Sequence, residues 1–279
     1  MRNIKNKEFI LACVLLMLTI IVYTGEVVYH SVASGHPGGD EGGLPMFYAL
    51  HWGMDNTPVL AIFAFTSILA IPLIGSIQVF SSRFNHFAYM IDVRHPHATH
   101  LSTPYLKKEM KRNFMLTYVL YLGRELLISA IICVFYSPFI FLENSSYLTW
   151  VHQTNFSTNG LLNYVVFITL LPLGYAVFST FIFIVCLYMK KYVFALTSGL
   201  VLGLICTILP PVLLLPTGYE LLMYTLFLPS ITEPGITLLG SRVPSYSTSV
   251  LFVASLVFYS VLSAVLYVVR MRIERKEGY

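Results

Sequence analysis

Charge is scarce in this sequence: 11% of its 279 residues are Asp, Glu, Lys or Arg, where a soluble domain carries about 25%. With 57% hydrophobic residues, the chain holds far more apolar surface than an ordinary water-exposed globule can hide. Cysteine is scarce too. Cys13, Cys133, Cys186 and Cys206 all fall in apolar stretches without C-x-x-C spacing, which excludes a zinc ribbon or a disulfide framework and leaves small packing residues. The chain contains no Gly-Lys pair, so it has no P-loop for nucleotide. It lacks H-E-x-x-H and G-x-S-x-G and shows no paired acids within its apolar runs, which removes the motif-bearing routes to intramembrane hydrolysis. No catalytic set declares itself, and the chain is not expected to be an enzyme.

What is present is a series of long apolar runs. A bilayer core about 30 Å thick takes about 20 mainly apolar residues per helix. Six runs meet that need, near 9–29, 58–80, 115–141, 161–189, 192–215 and 250–270. The expected fold is all-α and integral to the membrane, with residues 1–279 forming a single six-helix domain. The first run follows the basic "MRNIKNK" as a signal peptide would, but it is long and lacks a small-x-small cleavage site, so a retained helix is expected.

Lys and Arg set the orientation. Arg2, Lys5 and Lys7 precede the first run, and Arg83, Arg94, Lys107, Lys108, Lys111 and Arg112 separate the second and third. Lys190 and Lys191 lie between the fourth and fifth, and Arg270, Arg272, Arg275 and Lys276 follow the sixth. The alternate segments, 30–57, 143–160 and 216–249, hold Arg242 and no other Lys or Arg. The predicted protein is multi-pass in the cell membrane with both termini cytoplasmic. Its basic residues serve topology and contact with lipid, and no nucleic-acid partner is expected.

Between the second and third runs lies the longest polar cytoplasmic segment, 81–114. Phe84, Phe87, Tyr89, Met90 and Ile91 recur at helical spacing, Pro96 interrupts, and "TPYLKKEMKRNF" restarts helix with Thr103 as cap and Pro104 at the first helical position. His95, His97 and His100 read as a solvated basic stretch rather than a metal site, because no Cys or ordered carboxylate accompanies them; no metal is expected. The external loop after the first run turns aromatic at Phe47, Tyr48 and Trp52, which suits the headgroup region. In the fourth run, Pro172 and Gly174 predict a kink. Pro210 and Pro211 are expected to break the fifth helix. The segment that follows, 216–249, is apolar but interrupted by Pro229, Pro234, Gly235 and Pro244, as in a stretch that dips into the membrane from outside and returns.

Few candidate polar sites remain. Arg124 and Glu125 form the one adjacent ion pair inside an apolar run; the alternatives are local pairing or interfacial anchoring, within snorkelling reach of the cytoplasmic face, and a role in a helix interface or translocation path. Glu220 and Glu233 lie in the external segment, where solvent exposure is the simplest expectation. Asn144 and Asn155 match glycosylation acceptors, a pattern frequent by chance.

The order of parts resembles the membrane subunits of type-two ATP-binding-cassette (ABC) transporters, particularly the small permeases of Gram-positive bacteria. The likeness rests on the external loop after the first helix, Pro72 in "ILAIPLIGS", a cytoplasmic R…Y..K region matched by Arg94, Tyr105 and Lys108, and the late proline-rich external structure. It covers nearly the whole chain as layout. The acidic group usual before that Arg is reduced to Asp92, and "HPHATHLSTP" is longer than the usual spacer. The resemblance implies a coupling helix in 81–114 that docks on a separately encoded ATPase, with Tyr89, Asp92, Arg94, Tyr105 and Lys108 as coupling residues. It implies no cofactor of the chain's own, since ATP binds the partner, and a second permease subunit, identical or not. The cargo would be an amphipathic or hydrophobic peptide, lipid or drug, exported. The rival expectation is an ATPase-independent membrane sensor or immunity protein that binds a peptide or lipid.

Overall fold

A computed structural model describes residues 2–33, 58–77, 103–135, 156, 160–234 and 246–277. Among them there is no strand. Eight α-helices follow in order: α1 (Arg2–Ala33), α2 (Pro58–Ile71), α3 (Thr103–Phe135), α4 (Gly160–Cys186), α5 (Tyr192–Leu214), α6 (Glu220–Leu226), α7 (Pro229–Thr232) and α8 (Thr248–Glu277). Five of them, through the stretches Lys7–Glu26, Leu106–Val134, Tyr164–Cys186, Tyr192–Thr217 and Thr248–Ile273, are long and apolar enough to cross a membrane, while Phe63–Ser76 is a shorter apolar helix. The chain is a multi-pass, all-helical membrane protein.

At the centre stands α4, which contacts α2, α3, α5, α7 and α8. It is apolar all round, as a helix enclosed by others must be, and Phe167, Leu171, Tyr175, Phe178, Phe181, Ile182 and Phe183 are all buried. The helix is continuous through Pro172. Some hydroxyls inside the bundle are satisfied within their own helices: Thr24 donates to Ile20 O, Ser67 to Phe63 O and Thr117 to Asn113 O. This back-bonding lets small polar residues sit where no water reaches. Between α3 and α4, Asn113 Nδ2 donates to Ser179 Oγ at 2.8 Å, and Thr117 Oγ1 lies at hydrogen-bond distance, 3.0 Å, from the same hydroxyl.

Helix α3 starts at Thr103, as the Thr-Pro cap predicts, and runs unbroken to Phe135. At 1.5 Å per residue it is about 50 Å long, more than a core of about 30 Å can contain. Its first turns carry the exposed Lys107, Lys108, Lys111 and Arg112, so these are the turns that project. Glu109 folds against Arg112 at 2.6 Å.

Pro72 opens a π-helical turn, Pro72–Ser76, in which the Ile77 N–H returns to Pro72 O. Against this turn lies Gly199 of α5; a Cβ there would stand 2.8 Å from the proline ring and 2.9 Å from Ile68 O. The close approach of α2 and α5 therefore requires glycine.

One expectation is corrected. Pro210 and Pro211 do not break α5, which continues to Leu214 and ends in a 3-10 turn at Leu215–Thr217, closed by Gly218 at φ 76°. A proline leaves the carbonyl four residues earlier without its helical donor. For Pro210 that carbonyl is Cys206 O, and the Leu228 N–H occupies it at 3.0 Å. The helix persists because another part of the chain supplies the missing bond.

That donor belongs to the turn between α6 and α7. These two short helices fold back against α4, α5 and α8, burying Met223, Tyr224, Phe227, Leu228 and Ile231. Ser255 of α8 donates to Tyr224 O at 2.5 Å and Tyr259 donates to Leu226 O at 2.7 Å, so the last carbonyls of α6 are partnered by α8. On the α4 side the backbone of α7 lies directly on Gly174, where a Cβ would stand 1.6 Å from Ile231 O.

Candidate functional site: a buried charged cluster

Ordinary helical periodicity places Tyr121, Arg124, Glu125, Ile128 and Ile132 on one arc of α3, and all five are buried. Arg124 is 2% exposed and Glu125 is 4% exposed. The expectation of interfacial anchoring by snorkelling is therefore corrected, whereas the expected local pairing is present. Arg124 lies about 18 Å along the helix from Arg112 and about 15 Å from Val134, too deep for its head to return to water. It lies in a helix interface, the other expectation held for it.

Glu125, Ser67 and three aromatic rings hold the guanidinium. Nε donates to Glu125 Oε1 at 2.8 Å, and Nη2 stands 2.6 Å from the same oxygen. Nη1 donates to Ser67 Oγ on α2 at 2.6 Å. The guanidinium carbon lies 4.6 Å from the Phe63 ring centre, 4.8 Å from Tyr121 and 5.1 Å from Tyr175. Such faces attract a desolvated cation. Tyr121 and Tyr175 are stacked at 4.2 Å and 18°, and the Tyr121 hydroxyl donates to Ser67 O. Charge, hydrogen bonds and aromatic faces thus join α2, α3 and α4 around one side chain.

Helix α1 closes the cluster with Tyr23, whose ring lies 5.1 Å from Phe63. The chain just after α7 adds Glu233. It is 5% exposed, which corrects the expectation of solvent exposure: docking of α7 on Gly174 carries this carboxyl into the bundle. Arg124 and Glu125 are its electrostatic neighbours. Glu220, at the start of α6, is half-buried instead and lines an open cavity of about 450 Å³ with Tyr219, Thr225 and Tyr246. It does not join the cluster.

The predicted coupling residues are distributed differently. Lys108 is exposed on the projecting end of α3. Tyr105 belongs to that helix, but its side chain lies outside the described residues, as do Tyr89, Asp92 and Arg94 and with them the segment 84–94 and the histidines 95, 97 and 100. The aromatic loop at Phe47, Tyr48 and Trp52, Arg242, and the acceptors Asn144 and Asn155 also lie outside them. Among the described residues no group of three or more His, Cys, Asp or Glu could hold a metal ion. Sequence reasoning missed Ser67, Tyr121, Tyr175 and Tyr23. Tyr121 was the most findable, one turn before Arg124 on the same face.

The chain matches no protein-family model, no curated protein and no solved structure.

Proposed function

We propose that the chain is the membrane-spanning subunit of an ATP-driven exporter of the type-two ABC class, working with a separately encoded ATPase and a second permease subunit. The observation that supports this most is the α6–α7 hairpin. It follows the fifth apolar helix and folds back against α4, α5 and α8 before the last span, the position where the resemblance expects a re-entrant cap. On this reading six helices cross the cell membrane with both termini cytoplasmic, in line with the Lys and Arg distribution. Glu220 and the hairpin then face the exit side.

The projecting basic end of α3 is the natural lever. It is continuous with the buried arc that carries Arg124, so force applied near Lys108 reaches the centre of the bundle through a single rigid helix. Segment 81–114, with Tyr89, Asp92, Arg94, Tyr105 and Lys108, is the coupling element in this account. The largely apolar bundle favours an amphipathic or hydrophobic cargo over small ions. The test is reconstitution with the partner ATPase. Charge reversal at Arg94 and Lys108 should uncouple ATP hydrolysis from transport while insertion is unchanged; full coupling in the double variant contradicts the assignment.

A further inference from the structure

Charge does not balance in the buried cluster. Arg124 contributes one cation, already engaged by Glu125, Ser67 and three rings. Glu125 and Glu233 would contribute two anions. Glu233 is 5% exposed; its backbone N–H donates to Pro229 O at 2.9 Å, but its carboxyl makes no hydrogen bond or ion pair among the described residues. Tyr23 Oη, on a side chain 4% exposed, also has no hydrogen-bond partner, and it lies in the field of both carboxyls. The ionisable groups near Glu233 are thus Arg124 and Glu125 from α3, Tyr175 from α4 and Tyr23 from α1. On α8, Tyr259 is engaged with Leu226 O.

A lone carboxylate costs a great deal in such surroundings, and a buried acid takes up a proton rather than stay charged. Glu125 has the guanidinium at 2.8 and 2.6 Å and Glu233 has no such partner, so the proton is assigned to Glu233. We propose that Glu233 is a proton-binding site, occupied while α7 is docked. Glu233 takes one proton from water to become a neutral carboxylic acid, and Arg124 and Glu125 remain an ionised pair. Departure of α7 would return the carboxyl to water and release that proton, so docking of the hairpin is linked to proton uptake. This inference stands apart from the ABC reading and does not depend on it.

The experiment is infrared difference spectroscopy on the full chain in lipid vesicles near neutral pH. The expected result is a C=O band of a protonated carboxylic acid that disappears in Glu233→Gln and persists in Glu220→Gln. In Glu125→Gln the band should also disappear, because Glu233 becomes the only carboxylate beside Arg124 and ionises as its partner. That second variant carries the test if Glu233→Gln does not fold. A band unchanged in either variant overturns the proposal. So does a wild-type spectrum without the band, or one in which it appears only when sodium is removed, since the neutralising cation would then be a metal ion.

Discussion

The N–H of Leu228 donates to the carbonyl oxygen of Cys206 at 3.0 Å, the acceptor that Pro210 leaves without its helical donor. A residue expected to end α5 instead forms part of the seat for the α6–α7 hairpin. Replacing Pro210 with Ala gives α5 its own donor and puts the two N–H groups in competition. A net hydrogen bond is worth about 1 kcal/mol, so amide exchange at Leu228 should quicken about fivefold. Exchange at or below the wild-type rate would mean that this bond does not hold the hairpin.

Gly174 supplies the opposite wall. A Cβ there stands 1.6 Å from Ile231 O, whereas one at Gly123 meets nothing within 4 Å. Gly174→Ala must move the α7 backbone, and overpacking of this kind costs about 1–3 kcal/mol or more. Gly123→Ala should be neutral or slightly stabilising, since alanine is the better helix former. Thermal unfolding in mild detergent should separate the two variants clearly, and equal midpoints would contradict the packing described.

Removing Arg124 alone strands Glu125 in the bundle. Breaking a buried pair from one side costs about 3–5 kcal/mol, so Arg124→Met should be among the least stable single variants. Arg124→Lys keeps the charge but loses the fork that reaches both Glu125 and Ser67, and should fall between it and wild type. Arg124→Met combined with Glu125→Gln should recover much of the loss. The order of the three midpoints is the measurement, and a double variant no better than Arg124→Met would show that the pair is not the interaction that matters.

Ser255 and Tyr259 bond to neighbouring carbonyls at one end of α6. Ser255→Ala and Tyr259→Phe should each cost about 1 kcal/mol. Because they hold the same short helix, the double variant should depart from simple addition. A double-mutant cycle on unfolding midpoints measures that coupling, and strict additivity would mean that α6 is held elsewhere.

Much of the framework was legible from local pattern. Five of the six apolar runs mark helices long enough to cross a membrane and the second a shorter apolar helix, Thr103-Pro104 marks the start of α3, and the proline-rich stretch after α5 marks a segment broken into short helices. The corrections share a physical origin, which is that each depends on a partner distant in the chain. The burial of Arg124 rests on Ser67 and Phe63 of α2 and on Tyr175 of α4, and nothing beside it in sequence announces them. Glu233 is buried because Ile231 rests on Gly174. The continuity of α5 past Pro210 depends on Leu228. Local propensity carries no information about a donor or a wall supplied by another helix.

The most direct test of the proposed role is purification of the tagged chain from its native host in mild detergent, with mass spectrometry of the proteins that stay bound. The account predicts a stoichiometric ATPase bearing a Walker A motif. Recovery of the intact chain without one, under conditions that preserve an established ABC complex, would contradict the permease reading and favour a sensor or immunity protein that works without an ATPase.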